Sequence, residues 1–217
     1  MRVFYKLSAY GLLLFALVGC RERAALPDPN SLLTRAGQAW HDDWHAVWQV
    51  EWAGAPVRGP LVAEIWHAAD GRLRIEVLEA PSVALSGLTL VTNGTTGWLH
   101  DVRQDRTETG PADQVRIPLA SDAMDAMDWL FSNMDGATVE ISGYDRLETG
   151  QAIRLEIQLA AGRPGVAAGD RAELWVDEET RLPARLELRS ADWGEASFIT
   201  RSIAVPERLP ADLFLLP

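Results

Sequence analysis

The 217-residue chain has one cysteine, Cys20, and one lysine, Lys6. A single cysteine leaves no disulfide within the chain, so stability must come from packing. With lysine confined to position 6, every basic residue beyond it is an arginine, which removes Schiff-base and lysine general-base chemistry. No apolar run approaches the ~18–20 residues that span a bilayer. A Gly-x-Ser-x-Gly nucleophile elbow is also absent, and nothing in the chain points to catalysis or to a resident cofactor. Basic charge is scarce: the formal net charge is −11, from 20 Lys and Arg against 31 Asp and Glu. Such a balance repels phosphate backbones and anionic headgroups, so nucleic acid is not an expected partner.

What is present begins at the N-terminus. Arg2 and Lys6 precede the apolar run "AYGLLLFALVG", followed by Cys20. A basic start, a short apolar stretch and small residues at its end read as a secretory signal over 1–19. Leu17-Val18-Gly19-Cys20 resembles the bacterial lipobox, in which the signal is cut before a cysteine whose sulfur carries diacylglycerol. The expectation is a lipidated Cys20, a polar tether over 20–30, and one domain over 31–217. The lipid is then the membrane attachment, held by two or more acyl chains. Losing residues 1–19 leaves 18 basic against 31 acidic residues, about −13. Arg21 follows the cysteine, which favours the outer membrane in a two-membrane cell.

In "SLLTRAGQAW", Leu32, Ala36 and Trp40 recur at helical spacing, predicting a helix over 31–42 capped by Asn30 or Ser31. From Trp44 the period changes to two. Alternating segments then follow, separated by turns such as Asp70-Gly71 and Asn93-Gly94; Asn93-Gly94-Thr95 also fits a glycosylation sequon but reads as a hairpin turn. "RTETG" reads as a short edge strand. In "IRLEIQL" the sorting is complete, with Ile153, Leu155, Ile157 and Leu159 opposite Arg154, Glu156 and Gln158. The fold class expected is α+β, mainly β: about eleven antiparallel strands in one sheet. A sheet that wide with one apolar face must curl, giving an incomplete barrel with a helical lid over an apolar cavity.

The second helix, expected over 121–134 in "SDAMDAMDWLFSNM", places Met124, Met127, Phe131 and Met134 on one stripe. Methionine adapts to irregular apolar shapes, which suits a lid over acyl chains and equally a helix capping a core. Trp40, Trp44, Trp48 and Trp52 recur every fourth residue, as core aromatics or as cavity lining. "HDDWH" (41–45) is a candidate metal pair, but it falls where helix yields to strand, and no third ligand is identifiable. His67 and His100 read as surface or rim residues. Glu148, Asp177, Glu178 and Glu179 read as solvated turn charges.

The order of "LLTRAGQAWHDDWHAVWQVEW", "GRLRIEV", "VTNGTTGWLHDV", "LWVDEETRLPARLEL" and "LPADLFLLP" resembles the LolA/LolB-like lipoprotein-localisation superfamily. That superfamily includes mycobacterial lipid-carrying lipoproteins and an envelope-stress sensor domain. The resemblance covers nearly all of 31–217. It implies an eleven-stranded half-barrel that shields acyl chains of lipids or lipoproteins. The inward-facing residues expected to line its cavity are Trp48, Trp52, Ile65, Ile75, Leu90, Trp98, Met124, Met127, Phe131, Leu155, Leu174 and Leu186. Two features depart from the superfamily pattern: His100 stands where its hairpin tyrosine falls, and no exposed apolar loop tip is evident. The rival expectations are an envelope sensor or adaptor acting through a protein partner, and a structural lipoprotein whose sheet interior is packed by its own side chains.

Overall fold

A computed structural model describes residues 27–53, 59–163, 165–191 and 194–215. The signal, Cys20 and most of the tether lie outside the described residues. Helix α1 (Pro29–Trp40) starts two residues earlier than its spacing predicts, inside the expected tether. Asp28 is the cap: its carboxylate accepts from the Ser31 N–H at 2.7 Å, and proline follows at the first helical position. Leu32, Leu33, Ala36 and Trp40 form the buried stripe of α1.

Eleven antiparallel strands follow: β1 (Trp44–Ala53), β2 (Leu61–His67), β3 (Leu73–Glu79), β4 (Leu88–Thr92), β5 (Thr96–Asp101), β6 (Arg106–Pro111), β7 (Thr138–Leu147), β8 (Gly150–Gln158), β9 (Arg171–Asp177), β10 (Pro183–Ser190) and β11 (Gly194–Ala204). They form one sheet in the order β6-β5-β4-β3-β2-β1-β11-β10-β9-β8-β7. The first and last strands therefore pair at its centre, and both free edges, β6 and β7, come from mid-chain. The sheet is not closed. It curls, because Ile75 and Leu90 from one half share a single apolar cluster with Leu155 and Leu174 from the other. Helix α2 (Ala120–Ser132) connects β6 to β7 and so carries the chain from one free edge to the other.

The outer face is mostly charged, and it carries an apolar patch at the C-terminal segment. Val91 pairs with Trp98 across β4 and β5, and both join Ala68 and Trp66 beneath Leu209, Leu213 and Phe214 of the C-terminal segment. Arg74 fastens that segment by donating to the carbonyls of Leu213 and Leu215, each at 3.0 Å. The Arg72 guanidinium lies 4.5 Å from the Phe214 ring centroid. Covered on both faces, β4 is buried at all five positions.

Asp177 is not a solvated turn charge. It is 3 % exposed, and its carboxylate accepts from the Glu179 and Thr180 N–H groups and the Thr180 hydroxyl. The β9–β10 turn is thus organised around it, as an Asx turn would be.

Candidate functional site

The interior under α2 is built from a tryptophan stack. Trp44 and Trp48, four apart on β1, share the inward face, and Trp40 arrives at the end of α1. Ring centroids lie 4.9 Å apart for Trp40 and Trp44, 5.6 Å for Trp44 and Trp48, and 5.5 Å for Trp40 and Trp48. Phe198 of β11 extends the stack at 4.8 Å from Trp48, and His67 of β2 covers Trp44 at 5.3 Å. All three tryptophans are 1 % exposed.

Their indole N–H groups differ. Trp44 donates to the Trp40 carbonyl at 2.8 Å, and Trp40 donates to the Asp128 carboxylate of α2 at 2.6 Å. Trp48 Nε1, in the same buried stack, has no acceptor among the described residues. A buried donor left unpaired costs about 1–3 kcal/mol.

Helix α2 turns Ala120, Ala123, Met124, Ala126, Met127 and Leu130 inward. Its N-terminus is set by Leu119, at φ +71°, whose N–H donates to Asp122 Oδ2 at 3.0 Å. On the outer side Arg116 bridges Asp122 at 2.8 Å and Asp125 at 2.6 Å. Small and unbranched side chains let α2 lie close over the sheet, while its polar ties, Trp40–Asp128 and the Arg116 bridges, sit at its margins. It is a strap across the mouth of the half-barrel. Gly37 of α1 makes room for it, since a Cβ there would stand 3.3 Å from Phe131 Cδ1.

Of the residues predicted from the sequence to line a cavity, Trp48, Ile65, Ile75, Leu90, Met124, Met127, Leu155, Leu174 and Leu186 are buried in the interior cluster. Trp52 and Phe131 pack against it. Trp98 does not join them; it lies on the outer face under the C-terminal segment. These side chains form one continuous apolar cluster. Open space lies at two grooves beside α2. One, of ≈ 480 Å³, runs between Leu33 and Gly37 of α1 and Phe131 and Met134. The other, of ≈ 360 Å³, has Leu73, Leu90, Val115 and Met124 as apolar walls, with His67 and Asp128 at its rim.

Sequence reasoning missed the part played by His67, which packs on the tryptophans and bonds through Nδ1 to the Asp42 carbonyl at 3.0 Å. Since a carbonyl only accepts, Nδ1 carries the proton. Burial holds the His67 pKa below its ordinary value, against the opposing pull of the Asp42 carbonyl and Asp128. The "HDDWH" histidines diverge: His41 caps α1, while His45 bonds to Glu64 at 2.8 Å and stacks on Trp66. Among the described residues no cluster of three or more His, Cys, Asp or Glu side chains could hold a metal ion. An exposed apolar loop tip does exist, contrary to expectation: Val83, between β3 and β4, is 77 % exposed. Among the described residues no helix is long and apolar enough to cross a membrane.

This arrangement, an open eleven-stranded antiparallel sheet wrapped on an apolar interior and strapped by a helix, recurs in solved structures. An uncharacterized conserved protein from Thermus thermophilus matches at a TM-score of 0.53 and 18 % identity, over 87 % of this chain and 93 % of that one. MucB matches at 0.57 and 19 % identity over 88 % of this chain, which spans 63 % of MucB. MucB has also been crystallised in complex with MucA from Pseudomonas aeruginosa. LprF from Mycobacterium bovis matches at 0.51 and 13 % identity, over 85 % of this chain and 96 % of LprF. The sequence matches no family model and no curated protein. These likenesses are of fold alone: an open, mainly β half-barrel of eleven antiparallel strands with helices, the architecture expected from the sequence.

Proposed function

We propose that this chain is a lipid-anchored protein of the cell envelope, attached through Cys20, that binds acyl chains of lipids or lipoproteins without catalysis. The observation that carries this reading is the indole N–H of Trp48, a donor unpaired among the described residues inside a mainly apolar interior closed by α2. An ester or amide carbonyl at the head of an acyl chain supplies the missing acceptor. A ligand enters as α2 lifts, through the grooves on its two sides. Met124 and Met127 then re-pack around the ligand, as unbranched side chains can.

The energetics fit a releasable cargo. A buried CH₂ contributes about 0.8 kcal/mol, so a sixteen-carbon chain gives on the order of 12 kcal/mol gross. Association costs ~4–15 kcal/mol. One chain is therefore held modestly and two or three firmly. The test is mass spectrometry of organic extracts from protein made without residues 1–20. A stoichiometric acyl lipid, lost in Met127→Asp and reduced in Trp48→Phe, supports the reading. An empty protein that also fails to bind a fluorescent fatty acid refutes it and leaves a structural lipoprotein with a self-packed interior.

A second reading, an envelope adaptor acting through a protein partner, draws on one observation. MucB, whose fold this chain shares, has been crystallised with MucA(peri).

A further inference from the structure

The two free edges of the sheet are guarded unequally. β6 is short and exposed, carries the Arg106–Glu108 pair at 3.1 Å and ends in Pro111. Charge, shortness and proline are the usual protection of an edge. β7 has ten residues and neither proline nor lysine; its one guard is a bulge between Ile141 and Gly143, beyond which residues 143–147 run as a regular edge. Its main chain is committed on one side only. The Gln151 carbonyl accepts from the Glu178 N–H at 2.9 Å, facing away from β7. Arg146, paired with Gln151, therefore points its own N–H and C=O outward, and by alternation so does Tyr144.

The side chains beside this edge are charged in a pattern that the register makes plain. Glu140 of β7 stands opposite Glu156 of β8, which faces Glu173 of β9, which faces Glu187 of β10. At about 4.8 Å per strand these four carboxylates line up over roughly 14 Å of the outer face. Like charges directly opposite one another destabilise a sheet. Glu187 is paired with Arg185. Among the described residues Glu140, Glu156 and Glu173 form no salt bridge; the nearby Arg189 pairs with Glu195. A trough of ≈ 430 Å³ follows the row; Arg171 and Arg189 line its far side, so the acidic surplus is greatest at Glu140 and Glu156, where the row opens onto the free edge.

We propose that β7 accepts an extended basic segment of a partner protein as a twelfth strand, with a lysine or arginine opposite Glu140. Main-chain bonds to Tyr144 and Arg146 give it affinity, and the glutamate row selects its charge. A second copy of this chain does not fit: its β7 would set another Glu140 row against the first, in a protein of net charge −11. The inference concerns the edge and outer face of the sheet, so it stands or falls separately from acyl binding inside it.

The test uses the full-length protein in a non-ionic detergent and two fluorescein-labelled ten-residue peptides, alternating Lys-Thr and alternating Glu-Thr. The Lys-Thr peptide is expected to bind, and to protect the Tyr144 and Arg146 amides from hydrogen exchange, while the Glu-Thr peptide does not bind. Glu140→Lys should weaken binding at least tenfold. Arg146→Pro, which removes an N–H that donates nothing within the sheet, should do the same while leaving the circular dichroism intact. Equal binding of the two peptides overturns the proposal. So does binding that leaves residues 138–147 unprotected, or an affinity that neither variant changes.

Discussion

The bond from Trp40 Nε1 to Asp128 ties the two helices together, and its strength can be worked from its surroundings. Trp40 is 1 % exposed, so water cannot replace an acceptor that is removed. Asp128 is exposed, so its own carboxylate is at no cost when released to solvent. Asp128→Ala therefore strands a buried donor, at about 1–3 kcal/mol. Higher helix propensity of alanine returns about 0.5 kcal/mol. The net loss is about 0.5–2.5 kcal/mol, and for a domain of this size 1 kcal/mol moves the melting temperature by about 2–4 °C. Asp128→Ala should thus melt about 1–10 °C lower than the parent. Trp40→Phe removes the donor and leaves Asp128 in water, so the pair can be separated by a double-mutant cycle, with a coupling of about 1.5–3 kcal/mol. The assay is thermal and urea unfolding of the four proteins, with hydrogen exchange to follow α2. A coupling below about 0.5 kcal/mol, or α2 amides that exchange no faster in Asp128→Ala, would refute the view that this bond holds the strap.

Two further outcomes are expected. The pKa of His67 is depressed in the folded state by burial, so the unfolded chain takes up its proton first as pH falls. The stability contributed is complete above the ordinary value of 6.5 and is lost as pH drops through the folded pKa. Urea midpoints should therefore decline below pH 6.5 in the parent and not in His67→Phe, which keeps a ring on Trp44; identical pH profiles would count against it. Cys20→Ala should abolish labelling by radioactive palmitate and shift the protein from the membrane fraction to the soluble one, and labelling that persists would dismiss the anchor.

The strand pattern was legible because most strands have one wet face, so a period of two sorts their residues unambiguously. Trp98 shows where that rule stops. It stands on β5 opposite Val91 of β4, and the C-terminal segment covers both from outside, so both faces carry apolar residues there and alternation cannot say which side is inward. The start of α1 was misjudged for a local reason: Asp28, Pro29 and Asn30 read as linker, yet an aspartate before a proline caps a helix well. Trp48 was marked from its position, but that its N–H lacks an acceptor depends on groups brought from α1, β11 and α2, and no spacing within β1 reveals it.

The central pairing of the first and last strands also governs how the chain acquires its fold. His45 finds its partner in Ala204, so the middle of the sheet cannot zip until almost the whole polypeptide is available. The loop-closure entropy of that contact is paid late, and proteins dominated by such distant pairings fold slowly. Until β11 arrives, β1 has one edge unpaired and Trp48 lacks the cover of Phe198. A chain that crosses a membrane N-terminus first would spend that interval with that edge bare, and its maturation should be correspondingly dependent on a holding chaperone.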